Sequence, residues 1–167
     1  MIAHRIVELP AFEIAGKKTW IAGVDDSQAF GRFWDQCRAD GLFSAFESLT
    51  GLQPGPRTNG AILGISRVEQ DPARREFYYM VAVEKPAGPP PAGLECYQVP
   101  ASLWAVFECR GALPDAIVNS EIYAFTQWLP SSGYRHALAP EMEVYPPDAN
   151  PGDEPYCEFW LPVVKNN

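Results

Sequence analysis

The sequence predicts an α+β fold made of a tandem βαββ repeat, with an antiparallel sheet and two pseudo-symmetric halves. Three observations carry this. Strand and helix signals run in the same order over about 1–85 and about 94–167. A proline-rich run over 86–93, Pro86-Ala87-Gly88-Pro89-Pro90-Pro91-Ala92-Gly93, separates the two halves as a stiff linker. Local sequence also repeats. Leu9-Pro10-Ala11 returns as Val99-Pro100-Ala101 at an offset of 90, and Tyr78–Val83 resembles Phe159–Val164 at an offset of 81. A chain of 167 residues suits one domain, 1–167, made of two fused halves that share a core.

The elements follow in order. Arg5–Ile21 carries Ile6, Val7, Phe12, Ile14 and Trp20 and is broken near Pro10, which reads as two short strands. Asp25-Asp26-Ser27 is an N-cap signal. Ala29, Phe30, Phe33, Trp34 and Cys37 then recur at helical spacing, and that helix ends near Gly41. Leu42–Leu49 reads as a second short helix, and the Gly- and Pro-rich run over 51–56 as a loop. Ala61–Val68 and Glu76–Glu84 read as strands joined by a polar turn over 70–75. After the linker, Leu94–Cys109 is strand-like and broken at Pro100, and Leu113–Leu129 is helical up to Pro130-Ser131-Ser132-Gly133. Met142–Tyr145 and Tyr156–Val164 are strands around an acidic, proline-rich loop over 146–155.

Composition narrows the function. Lys+Arg is 13 and Asp+Glu is 21, so the net charge is −8. That balance argues against a nucleic-acid partner, which requires a basic patch, and suits a neutral or cationic ligand. No apolar run is long enough to span a membrane, and the N-terminus does not read as a signal peptide. The four Cys (37, 96, 109 and 157) lack any CxxC spacing and read as reduced, buried thiols of a cytoplasmic protein. Two His and no spaced ligand motif give no expectation of a metal or other cofactor. GxSxG, P-loop and GxGxxG motifs are absent from the sequence.

The second half carries the most specific signals. Trp128-Leu129-Pro130-Ser131-Ser132-Gly133-Tyr134 forms a helix exit. Pro140-Glu141-Met142-Glu143-Val144-Tyr145 and Glu158-Phe159-Trp160-Leu161-Pro162-Val163 form two strands. In this order and spacing the motifs resemble the GyrI-like family, which includes effector-binding domains of AraC-type and MerR-type multidrug regulators. The resemblance implies a duplicated βαββ fold. It also implies a ligand cleft between the halves, lined by carboxylates and aromatic rings, that binds bulky, often cationic, aromatic compounds. The family's strand carboxylates map onto Glu158 and Glu143. Some members hydrolyse reactive electrophiles with a Glu and an aromatic partner, and some inhibit gyrase. With no winged or helix-turn-helix segment, the chain resembles a stand-alone member.

Side-chain alternation puts Glu158 and Trp160 on one strand face, and Glu141, Glu143 and Tyr145 together on one face of another strand. Glu158 is flanked by Tyr156, Cys157 and Phe159, where a carboxylate must be paired or hydrated. A cationic ligand would pair it, with cation–π attraction of roughly 0.5–2 kcal/mol from an aromatic wall. Pairing with Arg or Lys, or exposure on the strand, is the alternative. Glu141 and Glu143 also read as one solvated face, and Tyr145 and Trp160 also read as core. Trp34 and Trp128 have the spacing of core aromatics. Trp104 lies mid-strand, and Tyr134, just past the helix, is placed to reach the cleft mouth.

The expected ligand site is therefore Glu158 with Glu143 in support, walled by Trp160, Tyr145, Tyr134 and Trp104. The expected partner is an amphipathic, cationic aromatic small molecule. Two other readings stand beside it: a hydrolase of cyclopropane-type electrophiles with Glu158 as the catalytic group, and a gyrase-binding protein.

Overall fold

The computed structural model describes all residues except 23–27, 51–54, 67–75, 90 and 148–151. The N-cap signal at Asp25-Asp26-Ser27 and the turn over 70–75 therefore lie outside the described residues, as do parts of the loops over 51–56 and 146–155 and one residue of the linker.

The first half runs β1 (His4–Leu9), β2 (Phe12–Ile21), α1 (Ala29–Ala39), α2 (Leu42–Thr50), β3 (Ile62–Ser66) and β4 (Phe77–Glu84). The second runs β5 (Glu95–Val99), β6 (Ser102–Arg110), α3 (Asp115–Tyr123), a π-helical segment (Ala124–Trp128), a closing turn (Leu129–Ser131), β7 (Tyr134–His136), β8 (Glu141–Tyr145) and β9 (Tyr156–Lys165). The expected order is present. The additions are the short β7, which pairs with the end of β9, and the π-helical segment. Pro130 follows that segment and has no N–H to continue the ladder. Side-chain hydroxyls take up carbonyls instead: Thr126 donates to Ile122, Ser131 to Gln127 and Ser132 to Leu129.

One antiparallel sheet joins the halves in the order β1-β6-β9-β8-β3-β4-β2-β5. From either end, the first strand of one half lies beside the second strand of the other, so the halves exchange their first strands. The Pro10-Ala11 and Pro100-Ala101 corners make this exchange. β1 on β6 and β2 on β5 keep one register across both corners: Leu9 faces Ser102, and Phe12 faces Val99. β1, at one end of the order, runs straight into β2 near the other end, which curls the sheet.

The inner face of that curl is a core drawn from both halves, including Ile14, Leu63, Met80, Trp104, Val106, Met142 and Trp160. On the other face, α1 and α2 cover Tyr79, Val81 and Val83, while α3 covers Phe107, Cys157, Phe159 and Leu161. Three of the four free cysteines are buried as expected. Cys96, on the edge strand β5, is exposed, which corrects the sequence reading. Pro162 sits inside β9 without breaking it. Its carbonyl accepts from Ala137 on the β7–β8 side, so its missing N–H falls in the gap between those two strands.

Candidate functional site

α1 and α3 stand apart over the helix-covered face, and the floor between them is the β3–β8 junction, where the halves meet. Here Gly64 faces Glu143, Ser66 faces Glu141 and Ile62 faces Tyr145. The space above this floor is an open cleft of about 1720 Å³. One wall is aromatic, with Phe30 and Trp34 of α1, Phe43 of α2, and Phe77 and Tyr79 of β4. The other is aliphatic and aromatic, with Ile117 and Val118 of α3 and Phe125 of the π-helical segment. Among the described lining residues, five are carboxylates and two are arginines.

Glu143 is at the centre of the floor. The Tyr145 hydroxyl donates to its Oε2, and the Tyr79 hydroxyl donates to its Oε1 at 3.3 Å. Trp34 Nε1 donates in turn to the Tyr79 hydroxyl at 2.9 Å, and the Trp34 ring packs edge-on to Tyr145 with centroids 5.3 Å apart. No Lys or Arg among the described residues pairs with Glu143. Burial pushes its carboxyl above the usual value, and the two tyrosine hydroxyls pull the other way. Burial likewise raises both phenols, with the Glu143 charge next in importance.

Two more carboxylates face the cleft from the half-two side. Glu121 of α3 is pushed up to about 8, first by burial and then by the charges of Glu143 and Glu141. Glu141 bonds His136 Nε2 at 3.0 Å, while His136 Nδ1 accepts the Leu138 N–H at 2.8 Å. With Nδ1 accepting, Nε2 is the nitrogen left to donate to Glu141, so both ring nitrogens are occupied. Phe125 stacks on the ring with centroids 6.1 Å apart.

The sequence matches the model of the GyrI-like small molecule binding domain over residues 3–164. The chain belongs to the GyrI-like family. Solved structures share its fold. SAV2435 bound to tetraphenylphosphonium is 23% identical over 97% of this chain and 94% of that one, with a TM-score of 0.79. EcmrR in its DNA complex is 18% identical with a TM-score of 0.67, and 99% of this chain spans 58% of that one. A hydrolase encoded by lin2189 from Listeria innocua is 13% identical over 96% and 91% of the two chains, with a TM-score of 0.53. No curated protein sequence matches the chain. No described helix is long and apolar enough to cross a membrane.

Of the residues expected at the GyrI-like site, the cleft gathers Glu143 and Tyr145 and not the other four. Glu158 faces away. It lies opposite Val144 on β8, so it shares Val144's face, and Glu143 lies opposite Phe159 on the other face. Glu158 is 7% exposed and is already partnered by Arg5 at 2.8 Å, the Tyr156 hydroxyl at 2.8 Å and Trp160 Nε1 at 3.2 Å. Burial opposes its charge, but the Arg5 and Tyr156 bonds outweigh it and hold the carboxyl below the usual range. Trp160 and Trp104 pack against each other in the inner core. Tyr134 stacks on Trp128, which itself donates to His4 at 3.0 Å.

The expectation was one cleft holding both Glu158 and Glu143, and the structure puts the two carboxylates on opposite faces of the sheet, because strand alternation assigns shared faces and cross-strand register assigns the side. The cleft also holds Trp34, Tyr79 and Glu121, which the sequence reading did not assign to it. The aromatic stripe of α1 was the available signal for Trp34, which spans core and wall.

Gly64 is what lets the floor close. A Cβ there would lie 2.3 Å from the Tyr79 hydroxyl and 3.3 Å from Glu143 Cδ. Gly64→Ala is expected to displace the Tyr79 hydroxyl from Glu143 and to cost about 1–3 kcal/mol in urea unfolding. An unchanged midpoint would show that the floor can absorb a methyl group.

The raised Glu121 also predicts a pH profile. A group that binds its proton more tightly when folded adds stability that is complete below its unfolded value near 4.5 and is lost as pH rises through about 8. The melting temperature of the empty protein should therefore fall between about pH 5 and pH 9. Glu121→Gln should flatten that fall. A parallel profile in the variant would place the titration elsewhere.

Proposed function

We propose that this GyrI-like protein captures amphipathic, cationic aromatic compounds in the cleft, with Glu143 as counter-charge and Trp34, Tyr79 and Tyr145 as the surrounding aromatic groups. One observation carries the reading. A carboxylate without a described cationic partner, held by two tyrosine hydroxyls, sits at the floor of a wide aromatic cleft. A lipophilic cation supplies the missing charge and covers apolar wall, and aromatic faces add roughly 0.5–2 kcal/mol. The tetraphenylphosphonium complex of SAV2435 supports this ligand class. The test is a titration with tetraphenylphosphonium followed by tryptophan fluorescence, beside neutral triphenylphosphine oxide. Saturable quenching by the cation, with the neutral analogue at least about tenfold weaker, is expected. Equal affinities would remove the counter-charge role.

A second reading has its own support. A carboxyl that burial raises above its ordinary value, set between two phenols, is equipped for general acid–base chemistry, here at Glu143 rather than at Glu158. Hydrolysis of a strained electrophile would then appear as hydrated product from a cyclopropane-bearing alkylator. Stoichiometric binding without product would leave capture as the activity.

A further inference from the structure

We propose that the cleft has a second cation station at Glu121 and that its preferred ligands carry two cationic groups on one apolar spacer. This rests on the cation-capture reading above and adds the substrate class to it. Glu121 projects from α3 into the same cleft whose floor holds Glu143, and among the described residues no hydrogen bond or ion pair satisfies it. Its neighbours explain why it needs a cation. Glu143 and Glu141 face it from β8, and the Cys109 thiol faces it from β6 beneath the helix. His136 of β7 is tied to Glu141, and across the cleft Arg38 of α1 is paired with Asp35 at 3.0 Å.

The wall around Glu121 is apolar and uncovered. Val118 is 45% exposed, Phe125 39% and Leu138 66%. The cleft, at about 1720 Å³, is larger than the roughly 300–1,000 Å³ that a single drug-sized molecule fills. A ligand with one charged group above Glu143, against Trp34 and Tyr145, still leaves the Glu121 wall and its charge unmatched. A second cationic group on a spacer lying along Val118 and Phe125 matches both. Glu121 holds a proton in the empty cleft near neutral pH, so this second group displaces it to solvent on binding.

The experiment compares two probes with the same head group and spacer: hexyltriphenylphosphonium and hexamethylene-bis(triphenylphosphonium). Calorimetry at pH 7 in two buffers of different ionisation enthalpy reads both affinity and protons released. The bis-cation is expected to bind about tenfold or more tightly than the mono-cation and to release about one additional proton. Glu121→Gln should abolish both the advantage and the extra proton, so that the two probes bind the variant with affinities within about twofold of each other. A Glu121→Gln protein that weakens both probes equally, or neither, overturns the second station and leaves the capture reading standing. If neither probe binds the unaltered protein, both readings fail. Thermal unfolding of the variant accompanies the titrations, and saturable mono-cation binding itself reports an intact cleft.

Discussion

Glu143→Gln should bind tetraphenylphosphonium about 30-fold more weakly than the unaltered protein, a loss of about 2 kcal/mol. The substitution keeps the shape of the side chain and removes its charge. It also puts an amide where the Tyr79 and Tyr145 hydroxyls now both donate to carboxylate oxygens. The ligand then enters a cleft that still offers aromatic surface but no counter-charge at its floor. The matched control is Glu158→Gln. Glu158 lies on the opposite face of the sheet and is bound to Arg5, whose side chain is 49% exposed. Its loss should lower stability and leave cation affinity within about twofold, because rearrangement at that ion pair does not reach the cleft. Fluorescence titration and urea unfolding of the two variants separate the roles. Equal losses of affinity in both would mean that the cleft floor is not where the cation sits.

Gly16→Ala should be the most destabilising glycine-to-alanine change among the described residues, at about 3 kcal/mol or more. Gly16 pairs with Ala82 on one side and Glu95 on the other, at the point where β2 is wedged between its own half and the exchanged strand β5. An added Cβ would lie 2.0 Å from the Val81 carbonyl oxygen and 2.6 Å from Ala82 Cα. Both are backbone atoms of β4, so relief requires β2 to move away from β4 along the ladder that carries the first half. A domain of this size should melt roughly 10 °C lower as a result. Gly31 in α1 is the opposite case. A Cβ there meets nothing within 4 Å, and Gly31→Ala should stabilise the helix by about 0.5–1 kcal/mol. Differential scanning calorimetry of the two alanine variants reads both signs. A Gly16→Ala protein that melts with the unaltered one would show that β2 and β4 are not packed this closely.

The repeat was legible because its signals are local. The recurring Leu-Pro-Ala and Val-Pro-Ala corners, the helical spacing of Phe30, Phe33 and Trp34, and the alternation of Glu141, Met142, Glu143, Val144 and Tyr145 each depend on residues a few positions apart. Those signals placed Glu143 and Tyr145 together, and the structure puts both at the floor of the cleft. Glu158 was grouped with Glu143 for a reason of the same kind, and the structure puts them on opposite faces. Alternation correctly puts it beside Trp160, and the indole N–H does bond it, but alternation within one strand carries no information about which side of the sheet that face is on. Trp34 was read as core because a helix stripe broad enough to pack on a sheet and reach past it looks the same in sequence as one that is wholly buried. Glu121 looked like an ordinary helix carboxylate, because its neighbours are on β8, about twenty residues further along the chain.

The amino-acid order was enough to set two βαββ halves, the kinks that let them exchange first strands, and a carboxylate–tyrosine pair on one strand face. Folding in three dimensions added the register of β8 against β9 and the separation of α1 from α3. These two features turn Glu158 into a buried ion pair and Glu143 into the floor of a cleft. The division has one physical cause. Side-chain direction along an element is dictated by backbone geometry over two to four residues, whereas the side of a sheet and the width of a groove are set by pairings between segments far apart in the chain.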